Sequence, residues 1–431
     1  MIFDRLFKHD MTTYSAPGKA LLCGGYLVID PAYSAYVVGL SARIYATVSA
    51  SEVSSNTTTV TVTSPQFENG EWIYQYTDGQ LSASGTNPFA QAAVNTVLHY
   101  VSNQRHLNIH ISIKSDNAYH SQIDSTQKGQ FAYHKRAIQD VPKTGLGSSA
   151  ALTTVLVAAL LKSYGVDPLN QTHLVHNLSQ VAHCSAQKKI GSGFDVASAV
   201  CGSLVYRRFP VETVDVVIAA EGTSEYAALL QKTVDTKWEV TLEPSFLPPG
   251  ITLLMGDVQG GSETPGMVAK VMEWRKTKPR EAAMLWKDLN AANMLMVKLF
   301  NDLRTLSLTN NEAYQQLLAD AAPLNALKMI MLQNPLGELA RCIVTIRKHL
   351  KKMTRETGAA IEPDEQSALL NKCNTYNGVI GGVVPGAGGY DAISLLVISS
   401  AVDNVKSESQ GVQWMQLREE NEGLKLEKGF K

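Results

Sequence analysis

Two stretches of this chain carry residue types suited to holding phosphate. In Val141-Pro142-Lys143-Thr144-Gly145-Leu146-Gly147-Ser148-Ser149-Ala150-Ala151, two glycines and two serines precede an apolar run. Gly145 and Gly147 admit backbone angles closed to other residues. Ser148 and Ser149 fall where a helix starts, and free N–H groups with the helix dipole attract anions there. A serine hydroxyl at such a place can also ligate the Mg²⁺ of a nucleotide. An ordinary helix start behind a loop is the competing reading. The stretch is not a Walker A loop, because the Gly-Lys-Ser/Thr ending is missing.

Two further residues could act on a reacting group. Asp195, in Gly191-Ser192-Gly193-Phe194-Asp195-Val196-Ala197-Ser198, is an acid among small neighbours that leave room for a substrate. A general base must reach the acceptor directly, although the first turn of a helix favours acids in any case. Lys19, after Pro17-Gly18, could offset charge on a transferring group, or be a solvated strand-edge lysine. Gly256-Asp257-Val258-Gln259-Gly260-Gly261-Ser262-Glu263-Thr264 offers bare N–H groups and hydroxyls before a helix, a second candidate anion site. Lys188, Lys189, Arg207 and Arg208 lie near Asp195 in sequence. Arg207 and Arg208 alternate on a strand, so at most one of them faces a pocket.

The elements that must position these residues follow from period and punctuation. Residues 12–50 read as strands and turns. Thr57 to Thr63 alternates Thr and Val, as a half-solvated strand does. Asn87-Pro88 opens a helix to about Tyr100. Residues 115–140, polar and irregular, read as a long surface loop. Helices are predicted for Ser149 to Tyr164 and for about Leu169 to Gln187, and a short one for Phe194 to Cys201. Leu247-Pro248-Pro249-Gly250 is the strongest linker signal. Beyond it come a strand at Ile251 to Met255, helices to residue 376 and a strand at Ala392 to Ser399. Among these helices Asn334 to Thr357 has a clear apolar stripe, with Gly358 behind it as a C-cap.

At 431 residues the chain exceeds one compact core, which predicts two domains. A hydrophobic share of 45% with 18% charged residues is globular, and a net charge of −1 argues against nucleic-acid or anionic-membrane partners. Five scattered cysteines without C-x-x-C spacing fit neither a disulfide frame nor a zinc site. No apolar run suffices to span a bilayer. These features imply a soluble, cytoplasmic protein.

The stretch Pro142 to Ala151 resembles the ATP loop of the GHMP kinases. Ser15-Ala16-Pro17-Gly18-Lys19-Ala20-Leu21-Leu22 resembles their N-terminal motif, and Val384-Pro385-Gly386-Ala387-Gly388-Gly389-Tyr390-Asp391-Ala392 their C-terminal glycine motif. Three ordered motifs spanning residues 15 to 392 make coincidence a poor explanation. The resemblance implies an α+β fold of two domains. The first, 1–248, would be ribosomal-protein-S5-like and bind ATP; the second, 249–431, would be ferredoxin-like, with the active site between them. It implies Lys19 and Asp195 as catalytic residues. Pro142, Lys143, Gly145, Leu146, Gly147, Ser148, Ser149 and Ala150 would hold ATP, with Ser149 on Mg²⁺.

Many family members carry Gly-Glu where this chain has Gly24-Gly25-Tyr26. That departure, and the 256–264 segment, are similar to phosphomevalonate kinases of the fungal type. The implied acceptor is 5-phosphomevalonate, bound through Ser192, Gly193, Arg207, Gly261, Ser262, Thr264 and Gly388. Mevalonate kinase, another GHMP kinase, diphosphomevalonate decarboxylase and a non-catalytic nucleotide sensor are the alternatives. An acceptor oxygen already anionic at neutral pH needs a strong base less than an alcohol does.

Overall fold

The computed structural model describes residues 11–101, 105–120, 122, 125–258, 264–409 and 411–430, with Thr264 and Pro265 described by their backbone alone. Strand β1 (Thr12–Cys23) runs antiparallel to the long β2 (Ala35–Glu52). Pro17 lacks the N–H a ladder needs, and the register slips between Pro17 and Gly18. Next come β3 (Thr57–Thr63), β4 (Glu71–Thr77) and β5 (Gln80–Ser84). In β3, Val60 and Val62 are buried and the threonines at 57, 59, 61 and 63 half-buried, as the alternation predicts. Helix α1 (Pro88–Tyr100), capped by Asn87, leads into β6 (Leu107–Ser115).

Residues 115–140 correct the expectation of an irregular loop. They hold a short 3-10 turn at Asn117–Tyr119 and a hairpin of β7 (Ser125–Lys128) and β8 (Phe131–His134). Tyr119, Phe131 and His134 are buried. Alternate residues of a short hairpin suffice to bury one face, a signal that polar composition hides.

Helices α2 (Ser148–Ser163), α3 (Thr172–Gln187) and α4 (Phe194–Cys201) follow. Every residue of α2 from Thr153 to Leu161 is buried, which its nearly unbroken apolar run requires. Strand β9 (Leu204–Arg207), α5 (Glu212–Ala219), α6 (Tyr226–Asp235) and β10 (Thr241–Pro244) complete this half. The large sheet has the order β10-β9-β2-β6-β3-β4-β5, with β1 alongside β2. Only β3 and β6 pair in parallel among its described strands.

The second half begins with β11 (Ile251–Asp257), α7 (Thr264–Thr277), α8 (Pro279–Thr309), α9 (Asn311–Ala321) and α10 (Ala326–Met329). Helix α11 (Pro335–Thr357) starts at a capping Asn334 and ends at Gly358 in the left-handed region, as its sequence predicts. After α12 (Asp364–Cys373) come β12 (Val379–Val383), β13 (Ala392–Ile398), α13 (Val402–Glu408) and the two-residue β14 (Gln413–Trp414). The second sheet has the order β12-β13-β11-β14.

The tail does not stay with the second sheet. Beyond β14 the chain returns to the first sheet. Ser41 N–H donates to Arg418 O, Glu420 N–H to Gly39 O, and β15 (Lys425–Glu427) pairs with Thr13–Ser15 of β1. The reason lies in Arg43, buried in the first half. Its guanidinium donates to the Glu422 and Gly423 carbonyls and lies 3.7 and 3.8 Å from the Glu420 and Glu427 carboxylates. A buried guanidinium needs acceptors, and the tail supplies them.

Candidate active site

Strand β1 leaves an edge open past the reach of β15, and two glycine loops from distant parts of the chain dock on it. Lys19 N–H donates to Leu146 O at 2.9 Å, and Gly386 N–H donates to Leu21 O at 3.1 Å. The first loop is also held from behind. Thr144 donates its N–H to Tyr119 O at 3.2 Å and its hydroxyl to Ala118 O at 2.6 Å. Tyr119, itself buried, donates to Ala42 O at 3.0 Å. Pro142, Lys143 and Gly145 remain exposed on the loop's outer side, whereas Leu146 and Ala150 are buried beneath it.

Two helices begin here in the same way. Gly147, φ +82°, caps α2, and Gly193, φ +80°, caps α4. The capping glycine offers no side-chain acceptor at either start, although in α4 Asp195 Oδ1 takes the Val196 N–H. First-turn N–H groups and the positive ends of two dipoles are left for a ligand. Lys19 sits between them. Its Nζ donates to Gly145 O at 2.8 Å and lies 5.6 Å from the Phe194 ring centre. A Cβ on Gly147 would stand 3.1 Å from Lys19 Cγ and Cε, so glycine there makes room for the lysine stem. Burial lowers the Lys19 pKa, and the Asp195 carboxylate pulls it partly back.

Asp195 is in the first turn of α4, its Oδ1 accepting from Val196 N–H at 3.0 Å. The turn before it is fixed by buried side chains. Gln180 Nε2 donates to Gly193 O and Tyr206 hydroxyl to Ser192 O, both at 2.8 Å. A Cβ on Gly193 would fall 2.7 to 2.8 Å from those same side chains, so only glycine fits. Behind Gln180 lies buried His176, 3.1 Å away, whose pKa burial pushes down to about 4.

Sequence reasoning missed His183, on the last turns of α3. This buried ring has its Nε2 3.1 Å from Ser149 Oγ and 3.9 Å from Asp195 Oδ2, and Phe89 of α1 packs on it at 5.4 Å. No motif marks it; eleven residues, a loop among them, separate it from Asp195.

The expected substrate residues divide. Ser192 and Gly193 are at the site. Lys188 and Lys189 are exposed at the end of α3. Arg207 ends β9, bonded to Pro31 O and Thr241 Oγ1, both at 3.3 Å. Arg208 is the one that turns inward. It is buried, with Nη1 donating to Ile29 O at 2.9 Å. Gly260, Gly261 and Ser262 lie outside the described residues, and Thr264 opens α7. Gly388, φ +86°, abuts the Ile361 carbonyl, where a Cβ would collide. Arg275 of α7, unmarked in the sequence, pairs with Asp30 and stacks 4.1 Å from the Trp286 ring centre.

Among the described residues no three His, Cys, Asp or Glu side chains gather into a metal cage. Ser149 Oγ and the Asp195 carboxylate, both beside His183, form instead a sparse oxygen set. Mg²⁺ accepts such a set when phosphates and water complete its shell.

Residues 93–203, which include both glycine-capped helix starts, match the family model of the GHMP kinases N terminal domain. The chain superposes on a solved Streptococcus pneumoniae phosphomevalonate kinase in complex with phosphomevalonate and AMPPNP, with a TM-score of 0.62 and 14% identity over 94% of this chain and 99% of that one. The fold is that of a GHMP kinase. A Candida albicans phosphomevalonate kinase is 42% identical over 96% of this chain and 98% of its own length. A peroxisomal phosphomevalonate kinase of Arabidopsis thaliana is 30% identical over 96% of each. The chain belongs to the phosphomevalonate kinase family.

Proposed function

We propose that this protein transfers the γ-phosphoryl group of ATP to 5-phosphomevalonate, giving ADP and 5-diphosphomevalonate for isoprenoid and sterol synthesis. The observation that carries the reading is the pair of glycine-capped helix starts beside Lys19, with Asp195 on one of them. Phosphoryl transfer asks chiefly for positioning and charge compensation, and this arrangement supplies both.

In the proposed step the bond from Pγ to the β,γ-bridging oxygen breaks. A new bond forms from Pγ to an oxygen of the acceptor phosphate, and ADP leaves. Gly145, Gly147, Ser148 and Ser149 hold the ATP phosphates through backbone N–H groups and hydroxyls. Pro142, Lys143, Leu146 and Ala150 shape that loop. Lys19 offsets charge on the group in flight. Asp195 holds Lys19 in place and takes the proton of any acceptor that arrives as a monoanion. Ser149, with Asp195 near it, would hold Mg²⁺, which would neutralise charge on the β- and γ-oxygens. Ser192, Gly193, Arg207, Gly261, Ser262, Thr264 and Gly388 are assigned to the acceptor side. The division near residue 248 is retained, with the tail counted with the first sheet. Among the described residues no helix is long and apolar enough to cross a membrane, and we assign the protein to the cytoplasm.

The test is ADP release from Mg-ATP with 5-phosphomevalonate, mevalonate, diphosphomevalonate or no acceptor. Turnover is expected with 5-phosphomevalonate alone; turnover with mevalonate instead would overturn the acceptor assignment. A phosphate has its second pKa near 6 and is mostly dianionic at pH 7. Asp195→Asn should therefore cost only about 10- to 100-fold in kcat, the low side of general-base effects. Complete loss of turnover in a folded variant would show that proton removal is obligatory.

A further inference from the structure

We propose that Arg275 receives the carboxylate of the acceptor, in an anion clamp that Asp30, Trp286 and Arg208 build between the two halves of the molecule. The proposal rests on the reading of the protein as a kinase acting on 5-phosphomevalonate. That acceptor is anionic at both ends. Its phosphate must lie at Lys19 and Asp195, so its carboxylate needs a cation elsewhere.

Three guanidiniums converge on three successive residues of the segment that follows β1. Arg208 Nη1 donates to Ile29 O at 2.9 Å, Arg275 Nη2 to the Asp30 carboxylate, and Arg207 Nη1 to Pro31 O at 3.3 Å. Arg207 is answered by Glu239 at 3.9 Å. Arg208 and Arg275 share Asp30, with Glu212 a lesser influence on Arg208. Two buried donors beside this segment have no partner among the described residues. They are Nη2 of Arg208, a residue 3% exposed, and the indole N–H of Trp286, 1% exposed, whose ring meets Tyr33 at 5.6 Å. N–H groups and positive charge are in surplus here, which suits an anion.

Arg275 is the group that can touch a ligand. Its side chain is 34% exposed, and it is fixed by Asp30 and by Trp286, whose ring centre lies 4.1 Å away. Its Nε and Nη1 bond no described residue. A guanidinium stacked on an aromatic ring and anchored by one carboxylate offers a rigid edge to a second one. Arg208 works from beneath, holding Ile29 and adding charge. The clamp is on the acceptor side. Tyr206, two residues before Arg208 and by strand alternation on the same face, donates to Ser192 O in the turn before Asp195. Cys184 and Tyr206 lie close enough to both Arg208 and Asp195 to feel the two charges. One layer of side chains therefore separates the Asp195 turn from Ile29 and Asp30. The ATP loop is held from another side, by Ala118 and Tyr119.

The experiment is steady-state kinetics of the full-length protein with Mg-ATP, comparing 5-phosphomevalonate with its carboxamide, which keeps the shape and lacks the charge. With the native sequence the carboxamide should show a KM about 30-fold higher, the middle of the range for hydrogen bonds between charged groups. Arg275→Gln should raise the KM for 5-phosphomevalonate by about the same factor, with kcat and the KM for ATP within about threefold of native, as loss of uniform binding does. The KM for the carboxamide should hardly move, because the group that Arg275 recognises is already gone. Arg275→Lys, which keeps the charge and loses the fork, should fall between native and Arg275→Gln, and it carries the test if Arg275→Gln does not fold. An equal rise for both acceptors would mean that Arg275 only joins the halves and would overturn the proposal, as would an unchanged KM. Native turnover with 5-phosphomevalonate separates the two levels. Where it is present, these outcomes bear on the clamp alone; its absence overturns the underlying reading and the clamp with it.

Discussion

The two glycine loops on the open edge of β1 share a sequence signature and differ in what the glycines are for. At 145–147 they leave space for something that moves. The Lys19 stem fills the room at Gly147, and a Cβ on Gly145 would meet nothing within 4 Å. At 386–389 the space is already taken by backbone. Gly388 abuts Ile361 O, the Gly386 carbonyl abuts Gly25, and the Tyr26 hydroxyl donates to Ala387 O at 2.6 Å. One loop is a cradle and the other a fastener between the halves of the molecule. A glycine motif alone does not say which, because the difference lies in what the rest of the chain brings up to it.

Removing the cradle's charge should have the largest effect. Lys19→Met keeps the packed stem and deletes the ammonium, so kcat should fall on the order of 10³-fold, about 4 kcal/mol, with the melting temperature unchanged or raised. A loss below tenfold would mean that Lys19 only props the loop. On the fastener the effect should be on stability. Gly388→Ala forces a Cβ against a carbonyl at positive φ and should cost about 3 kcal/mol in urea unfolding. The surviving folded enzyme should keep its KM for ATP; a raised KM with normal stability would make this loop a cradle too.

Acid should separate the loops in a third way, because the α4 turn is backed by a histidine and the fastener by backbone. The His176 pKa sits near 4 in the folded protein, against 6.5 for a histidine free in water. The unfolded chain therefore binds the extra proton between those values, and stability present above pH 6.5 is lost as pH falls toward 4. The expected loss is roughly 3 kcal/mol from this residue. Unfolding at pH 7 and pH 4 should show a shallower slope for His176→Gln; identical slopes would remove His176 from the account. The smallest effect is expected at Gly145, where a methyl group meets no neighbour but φ is +75°. Gly145→Ala should cost about 1 kcal/mol and raise the KM for ATP severalfold.

Local sequence carried much of this site. The glycines at 145, 147 and 193 were legible because positive φ at a helix start restricts the residue type, and Asp195 because an acid stood among small neighbours. Which of Arg207 and Arg208 turns inward was not legible, nor were His183 and Arg275. Their roles depend on where strands and helices bring Ile29, Ser149 and Asp30, contacts with no fixed offset along the chain. The hairpin at 125–134 was hidden by polar composition, and the return of the tail by the remoteness of Arg43, whose need for acceptors is met hundreds of residues later.

That return has a consequence for how the protein is made. Ser15 and its partner Glu427 are 412 residues apart. Strand β1 leaves the ribosome hundreds of residues before β15, so the edge of β1 at Thr13–Ser15 stays bare while everything between them is made, on the order of half a minute or more at ordinary elongation rates. A bare strand edge is a template for pairing with other chains. The first half of the molecule is therefore translated early but closed late, and a nascent chain halted in the second half would carry the large sheet with that edge uncovered.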